Sequence, residues 1–427
     1  MNVIRRLAVV MAILALVLVA CGRSNEGGGA SGAASLGPAV SSGPVSGDLT
    51  VWAMGTEGEK LGLLAKDFMA ENPDVRVKVT AVPWDAAHDK ITTAIAGNTT
   101  PDVSLIGTTW MGEFAKTGAL DATPANLDPK SFFEGAFNTS VVNGTSYGVP
   151  WYVETRLIYY RTDLAAKAGF TEAPKSWADL MKMAEGMKSK AGAQWGISLQ
   201  AGGTGSWQTF LPFAWQQGAT VIDDQGKFTL DSPEMTKALE YYTSFFKGKL
   251  SPTALEPNAL EQGFVAGKIG AFVSGPWHIG ILKDPKVGGD KITGKWGLMH
   301  MPMEKKATSF VGGGDLVVFK DSKNRAAAWK FVEYLSKPEV QVKWFKTVND
   351  LPAVKAAWDD ASLKGDENVA KFGDQLNDAQ SPPTIATWEQ VAAAIDSEVE
   401  KATKGTESPA DAVKAMQQQA TSIGTGS

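Results

Sequence analysis

Cysteine is almost missing from this 427-residue sequence. A single one, Cys21, rules out an internal disulfide. Histidine is nearly as scarce. His88, His278 and His300 show no metal-ligand spacing, so neither a metal nor a cofactor is expected. There is no basic run and the formal net charge is -5, which argues against a nucleic-acid partner. The apolar run Leu7 to Ala20 is too short to span a bilayer comfortably. The glycines at 202, 203 and 205 are not followed by Lys-Ser/Thr, so they form no phosphate loop. Tryptophan, by contrast, is abundant: 14 residues against 7 tyrosines. Indoles beyond core needs mark surfaces that grip a flat apolar face. The remainder, 44% hydrophobic and 20% charged, is ordinary soluble composition, and the length suggests at least two domains.

Arg5 and Arg6 precede the apolar run, and Leu18-Val19-Ala20-Cys21-Gly22 closes it. A basic start, a short apolar middle and small residues at the end form a signal-peptide plan. The pattern resembles the bacterial lipoprotein signal, in which the chain is cut before the cysteine and that cysteine carries lipid. The expectation is therefore a signal peptide over residues 1–20 and lipidation of Cys21. The Gly/Ser/Ala/Pro-rich stretch that follows buries too little apolar surface to fold and reads as a flexible tether over 21–47. A lipid, a tether and a large body predict a protein of the cell envelope, anchored to the outer face of the cell membrane.

Within the body, the stretch from Tyr147 to Asp163, YGVPWYVETRLIYYRTD, divides the chain. Trp151–Val153 and Leu157–Tyr160 read as extended segments. Between them lie Glu154, Thr155 and Arg156. A carboxylate and a guanidinium among aromatics are costly to bury unpaired, so they pair with each other or a third group comes to them. Upstream, Asp48–Ala53, Val75–Val82 and Pro101–Ile106 are each followed by a loop and a helix, which predicts an α/β layer with a parallel sheet. Ligands of such sheets sit beyond the carboxyl ends of the strands, where Glu57, Thr109 and Trp110 fall. Glu57 equally suits a helix N-terminus, and Trp110 equally suits packing. The strand–helix pattern restarts after Glu154. It includes a glycine-rich turn that presents Trp207 and a strand ending in Ser274-Gly275-Pro276-Trp277.

The order of these motifs resembles the sugar-binding proteins of bacterial ATP-driven importers, the extracellular solute-binding family that includes maltose-binding protein. Pro101-Asp102-Val103, VPWYVETRLIYYRTDL, SGPW, Gly312-Gly313-Gly314, NRAAAWKFVEYLSKPE and Leu351-Pro352-Ala353 carry the likeness, from about Asp48 to Lys401. The resemblance implies a two-lobed, periplasmic-binding-protein-like α/β fold. Each lobe would be a mainly parallel sheet flanked by helices, with a hinge between the lobes. It implies lobe 1 over 48–152 and 302–350 and lobe 2 over 153–301 and 351–424, with crossings near Pro150–Thr155, Met299–Met303 and Asp350–Val354. It also implies a monomer that carries a di- or oligosaccharide to membrane permease subunits without transforming it. A pyranose has apolar faces and a hydroxyl rim, so its site needs aromatic plates and charged or amide groups. By resemblance Trp277 and Trp388 are plates and Trp207 is a lower aromatic. Glu154 is a carboxylate at the first crossing, and Glu57, Thr109 and Trp110 lie on reading loops. Maltose-binding relatives carry aspartate at the position of Thr109, which sets this hydroxyl pattern apart from theirs. His88 and His278 could reach the cleft. Asp315 could bond hydroxyls while the glycines around Gly313 bring backbone close.

Two other functions compete. A secreted glycosidase needs two carboxylates across the scissile bond, and Glu57 and Glu154 could be drafted, but no acid–base pair is singled out. A carrier of glycerol phosphate would want free cations at the cleft, for which Arg156 and Arg161 are candidates; a peptide or polyol carrier also remains.

Overall fold

A computed structural model describes residues 34–256 and 258–426. The expected signal peptide and Cys21 lie outside the described residues. The strands, in chain order, are β1 (Gly47–Met54), β2 (Val75–Val82), β3 (Val103–Gly107), β4 (Val149–Thr155) and β5 (Leu157–Arg161). They continue with β6 (Ala271–Ser274), β7 (Trp296–Met299), β8 (Ser309–Val318), β9 (Leu351–Pro352) and β10 (Ala379–Gln380). Helices that matter below are α1 (Gly55–Lys60), α2 (Trp84–Ala96), α3 (Trp207–Gln217), α4 (Pro233–Lys247), α5 (Trp277–Lys283), α6 (Trp388–Lys404) and α7 (Pro409–Ile423).

Two sheets organise the chain. The larger runs β9-β4-β8-β3-β1-β2, with β10 pairing beside β8, and the smaller runs β6-β5-β7. The predicted parallel layer is β1, β2 and β3, which pair in parallel. The returning strands β8 and β4 add to it antiparallel. The small sheet departs from a mainly parallel layer, since β5 pairs antiparallel with both β6 and β7. The segment Trp195–Leu199 joins it only through parallel bridges from Trp195 to Ile269 and from Ser198 to Phe272. β4 ends in the large sheet at Thr155 and β5 begins in the small one at Leu157, so Arg156 alone joins them. This is the restart legible in the sequence. A second connection, residues 300–308, links β7 to β8. The third differs from expectation. Leu351 and Pro352 stay in the large sheet, pairing with Val153 and Tyr152. Before β10 the chain already touches the small-sheet body, where Phe372 packs near Tyr159 of β5, and after β10 the helices α6 and α7 pack on α3 and α4.

Three consecutive glycines let β8 cross β4 closely. A Cβ at Gly313 (φ +131°) would sit 2.2 Å from the Tyr152 carbonyl oxygen, and one at Gly314 2.8 Å from the Tyr152 ring. Gly313 therefore admits the neighbouring strand.

Residues 34–46 behave differently from the tether expected over 21–47. Ser35 N–H donates to the Gly144 carbonyl (2.7 Å) and Gly37 N–H to the Thr123 carbonyl (2.8 Å), while Val40 N–H reaches Asn126 Oδ1 (3.0 Å). Leu36, Val40 and Val45 pack against the large-sheet core. These spaced apolar residues, unnoticed in a Gly/Ser-rich background, turn the stretch into a strap. A chain begun at Asp48 is therefore expected to melt several degrees below one begun at Ala34, as a loss of about 2 kcal/mol would produce in a body of this size. Equal melting curves would show that the strap contributes nothing.

Candidate functional site

Beyond the carboxyl ends of β1, β2 and β3 the sequence places Glu57, Trp84 and Thr109–Trp110. Glu57 lies in the first turn of α1, half-buried. Burial pushes its carboxyl up, and the nearby Trp84 side chain pulls the other way. Trp84 is 36% exposed and meets Trp110 edge-on, with ring centroids 5.7 Å apart. The positions of Glu57 and Trp110 thus follow the strand-end rule. Trp84 obeys the same rule, coming two residues after β2, and sequence reasoning passed over it.

At the crossing, Glu154 and Arg156 form the ion pair that their spacing suggested, Nη1 to Oε2 3.0 Å. Arg156 also donates from Nη2 to Gln208 Oε1 (2.6 Å). Its guanidinium lies over the Trp277 ring at 4.8 Å from the centroid and over Phe310 at 5.2 Å. Trp277 opens α5 and is 44% exposed. Its benzo edge lies so close to Gly275 that a Cβ there would come within 2.0 Å. The glycine of SGPW is what lets the indole fold over its own turn.

Two more polar groups, neither foreseen, join Glu154. Tyr152 is half-buried, and burial together with the nearby Glu57, Asp350, Glu154 and Asp315 carboxylates holds its phenol well above the usual range. Asp350 accepts from Trp344 Nε1 (3.0 Å). Burial, then Glu57 and Glu154, push its carboxyl up to about 8. Both residues were detectable in principle, Tyr152 because it alternates with Glu154 along one strand, Asp350 only through the pairing of β9 with β4.

Several expected site residues lie elsewhere. Trp388 and Trp207 are buried and pack edge-on, centroids 5.0 Å apart. The turn before Trp207 is pinned rather than loose: Asp396 of α6 accepts from Gly205 N–H (2.8 Å), Ser206 Oγ (2.7 Å) and Trp207 N–H (2.7 Å). Asp315 is fully buried in β8, where Thr139 Oγ1 donates to its carboxylate (3.0 Å) and burial raises it to about 7. A glycine-rich approach therefore does not open it to a ligand. His278 is buried between Ser274 Oγ (2.6 Å) and Glu261 Oε1 (3.1 Å), and burial lowers its pKa. His88 contacts Glu113 (3.0 Å) and stacks on Phe114. Both histidines are satisfied locally, the commoner fate of a lone histidine. Thr109 is different: it lines a cavity of about 330 Å³ together with Trp207, Gln208, Glu389 and Asp396, and Gln208 in turn holds Arg156.

The stretch Gly144-Thr145-Ser146-Tyr147-Gly148, overlooked in reading the sequence, has the Gly-x-Ser-x-Gly spacing of serine hydrolases. Ser146 is fully buried in a short hairpin and its hydroxyl is engaged with Thr123 and Ser140. It presents no nucleophile.

Chemically, this is a surface of aromatic faces and carboxylates, and the two arginines that could have served an anion are already paired. Arg156 is taken by Glu154 and Gln208, and Arg161 by Asp163 and the Phe264 carbonyl. An anion would meet the Glu57 carboxyl while Arg156 is already committed to Glu154. A neutral ligand with apolar faces and many hydroxyls meets acceptors and plates.

Comparison with known proteins gives a consistent result. Residues 54–342 match the model of the family described as bacterial extracellular solute-binding protein. Curated relatives include the diacetylchitobiose binding protein DasA of Streptomyces coelicolor, 27% identical over 86% of this chain and 88% of the relative. The maltooligosaccharide ABC transporter solute-binding lipoprotein of Streptococcus pneumoniae is 27% identical over 89% of this chain and 87% of the relative. Among solved structures, the sugar-binding protein MalE of Xanthomonas citri is 32% identical, with TM-score 0.82 over 88% of this chain and 97% of that one.

Proposed function

We propose, from the premise that this chain belongs to the bacterial extracellular solute-binding protein family, that it captures a carbohydrate and hands it to an ABC transporter permease. The carbohydrate is a di- or oligosaccharide, taken up between the two lobes. The observation that carries the reading is the half-exposed Trp277 indole beside the Glu154 carboxylate, in a surface whose arginines are already neutralised. The relatives named for diacetylchitobiose and maltooligosaccharide support the same ligand class. That Arg156 and Arg161 are already paired disfavours glycerol phosphate.

The lobes meet where Arg156 joins the two sheets and where residues 300–308 return. Hinge motion at these links closes the cleft. Relatives of this family are binding proteins, and nothing in the proposed role requires bond cleavage. Lipid on Cys21 holds the protein at the outer face of the cell membrane. Among the described residues no helix is long and apolar enough to cross a membrane.

The test is the melting temperature of the chain from Ala34 onward against mono-, di- and trisaccharides, glycerol phosphate and short peptides. A ligand bound only by the native state adds about 2.7 kcal/mol at a hundred times its dissociation constant. A shift with one sugar class, and recovery of that sugar intact, is expected. Sugar breakdown would replace the carrier with a glycosidase, and a shift with glycerol phosphate or peptides alone would discard the carbohydrate.

A further inference from the structure

The carbohydrate reading asks for a plate, an acceptor and a donor, and three such groups converge on one side chain. Arg156 is 8% exposed and caged on all sides. Its guanidinium carbon lies over the rings of Phe310 and Trp277, at 5.2 and 4.8 Å from their centroids. Its two terminal nitrogens reach Glu154 at 3.0 and 3.4 Å, and Nη2 also reaches Gln208 at 2.6 Å. A guanidinium only donates, so the Gln208 atom facing it is the carbonyl oxygen. The amide nitrogen of Gln208 must then point away from Arg156. It has no partner among the described residues, and Gln208 lines the 330 Å³ cavity beside Thr109 and Trp207.

We infer that Arg156 is the positioning residue of the ligand site, locking the Trp277 plate, the Glu154 acceptor and the Gln208 donor into one unit. This rests on the carbohydrate reading and deepens it. Arg156 packs against the rings of Phe310 and Trp277, and the 44% exposed Trp277 offers indole surface to a pyranose. At the rim of that face a carboxylate accepts from a hydroxyl, and an amide N–H donates to the oxygen of a hydroxyl or ring. The site thereby selects sugars that present an acceptor and a donor on neighbouring positions. A planar fork is required: lysine keeps the charge but cannot lie flat over a ring while bonding two partners in its plane.

The test is a double-mutant cycle on sugar affinity, measured calorimetrically with the sugar that gives the largest thermal shift. Arg156→Lys and Trp277→Ala are each expected to weaken binding at least tenfold. Combined, they should weaken it by clearly less than the product of the two effects, because the share of Arg156 that acts through the plate is already gone once Trp277 is removed. Gln208→Glu keeps a partner for Arg156 but carries no amide donor, and it is expected to lose affinity with its melting temperature unchanged. An Arg156→Lys variant with a lowered melting temperature but unchanged sugar affinity, or one whose affinity loss multiplies fully with that of Trp277→Ala, overturns the inference. So does full affinity in Gln208→Glu, the variant that decides the matter if Arg156→Lys does not fold. A wild-type chain that binds no sugar removes the carbohydrate reading, and this inference with it. A wild-type chain that binds sugar, with independent mutational effects, removes only the inference.

Discussion

Trp388→Ala is expected to lower the unfolding free energy by about 3–5 kcal/mol, the range for deleting a large buried aromatic. The indole is 1% exposed and packs edge-on against Trp207 and among apolar side chains that include Val391 and Ile395 of its own helix. Truncation leaves a cavity that rigid neighbours close only in part. In denaturant titrations the midpoint should fall with the slope unchanged. Trp277→Ala should behave in the opposite way. Its indole is half-exposed, so the midpoint should barely move, while sugar affinity drops at least tenfold, about 1.4 kcal/mol. The two variants separate a core residue from a plate. A Trp388→Ala chain with wild-type stability and impaired sugar binding would return Trp388 to the ligand surface.

The contrast shows what sequence reading can reach. Trp84, Trp207, Trp277 and Trp388 all stand at the first position of a helix after a turn. Local pattern treats them alike, yet Trp277 and Trp84 are open while Trp207 and Trp388 face the interior. What differs is the element packed against each helix start, a long-range fact. For Trp207 it is Asp396, 189 positions away, which pins the turn before it. Register decided Asp315 in the same manner: on β8 it faces Thr139, 176 positions upstream, and so is closed to solvent. By contrast, the strand-end positions of Glu57 and Trp110 and the Glu154–Arg156 pair follow from short-range order. They depend on strand period, loop placement and the cost of an unpaired charge, all of which the local sequence carries. The strap over residues 34–46 was hidden for another reason. Composition averaged over the stretch conceals Leu36, Val40 and Val45, and the partners that satisfy its backbone lie about a hundred positions away.

Stability is expected to fall as pH rises from about 6.5 to about 8.5. Two carboxyls govern this window. Burial holds Asp315 near 7, and burial with Glu57 and Glu154 nearby holds Asp350 near 8, against an ordinary 3.8. Across the window the folded chain keeps protons on them that the unfolded chain has already lost. The native state therefore binds more protons, and unfolding becomes easier as pH rises, the change ending once both native groups are ionised. The buried His278 has its pKa lowered and contributes the opposite slope, but only below its ordinary value of 6.5, so it leaves this window undisturbed. Asp350→Asn is the diagnostic variant. An amide oxygen can still accept from Trp344 Nε1, and the side chain no longer charges beside Glu57 and Glu154. Because the unfolded aspartate is ionised well below this window, the variant's melting temperature should already lie above wild type at pH 6.5 and further above it at pH 8.5, with a shallower decline between. A wild-type melting temperature that rises through this interval, or an Asp350→Asn curve parallel to wild type, would mean that Asp350 ionises freely in the folded chain and that the acidic cluster around Tyr152 is open to water.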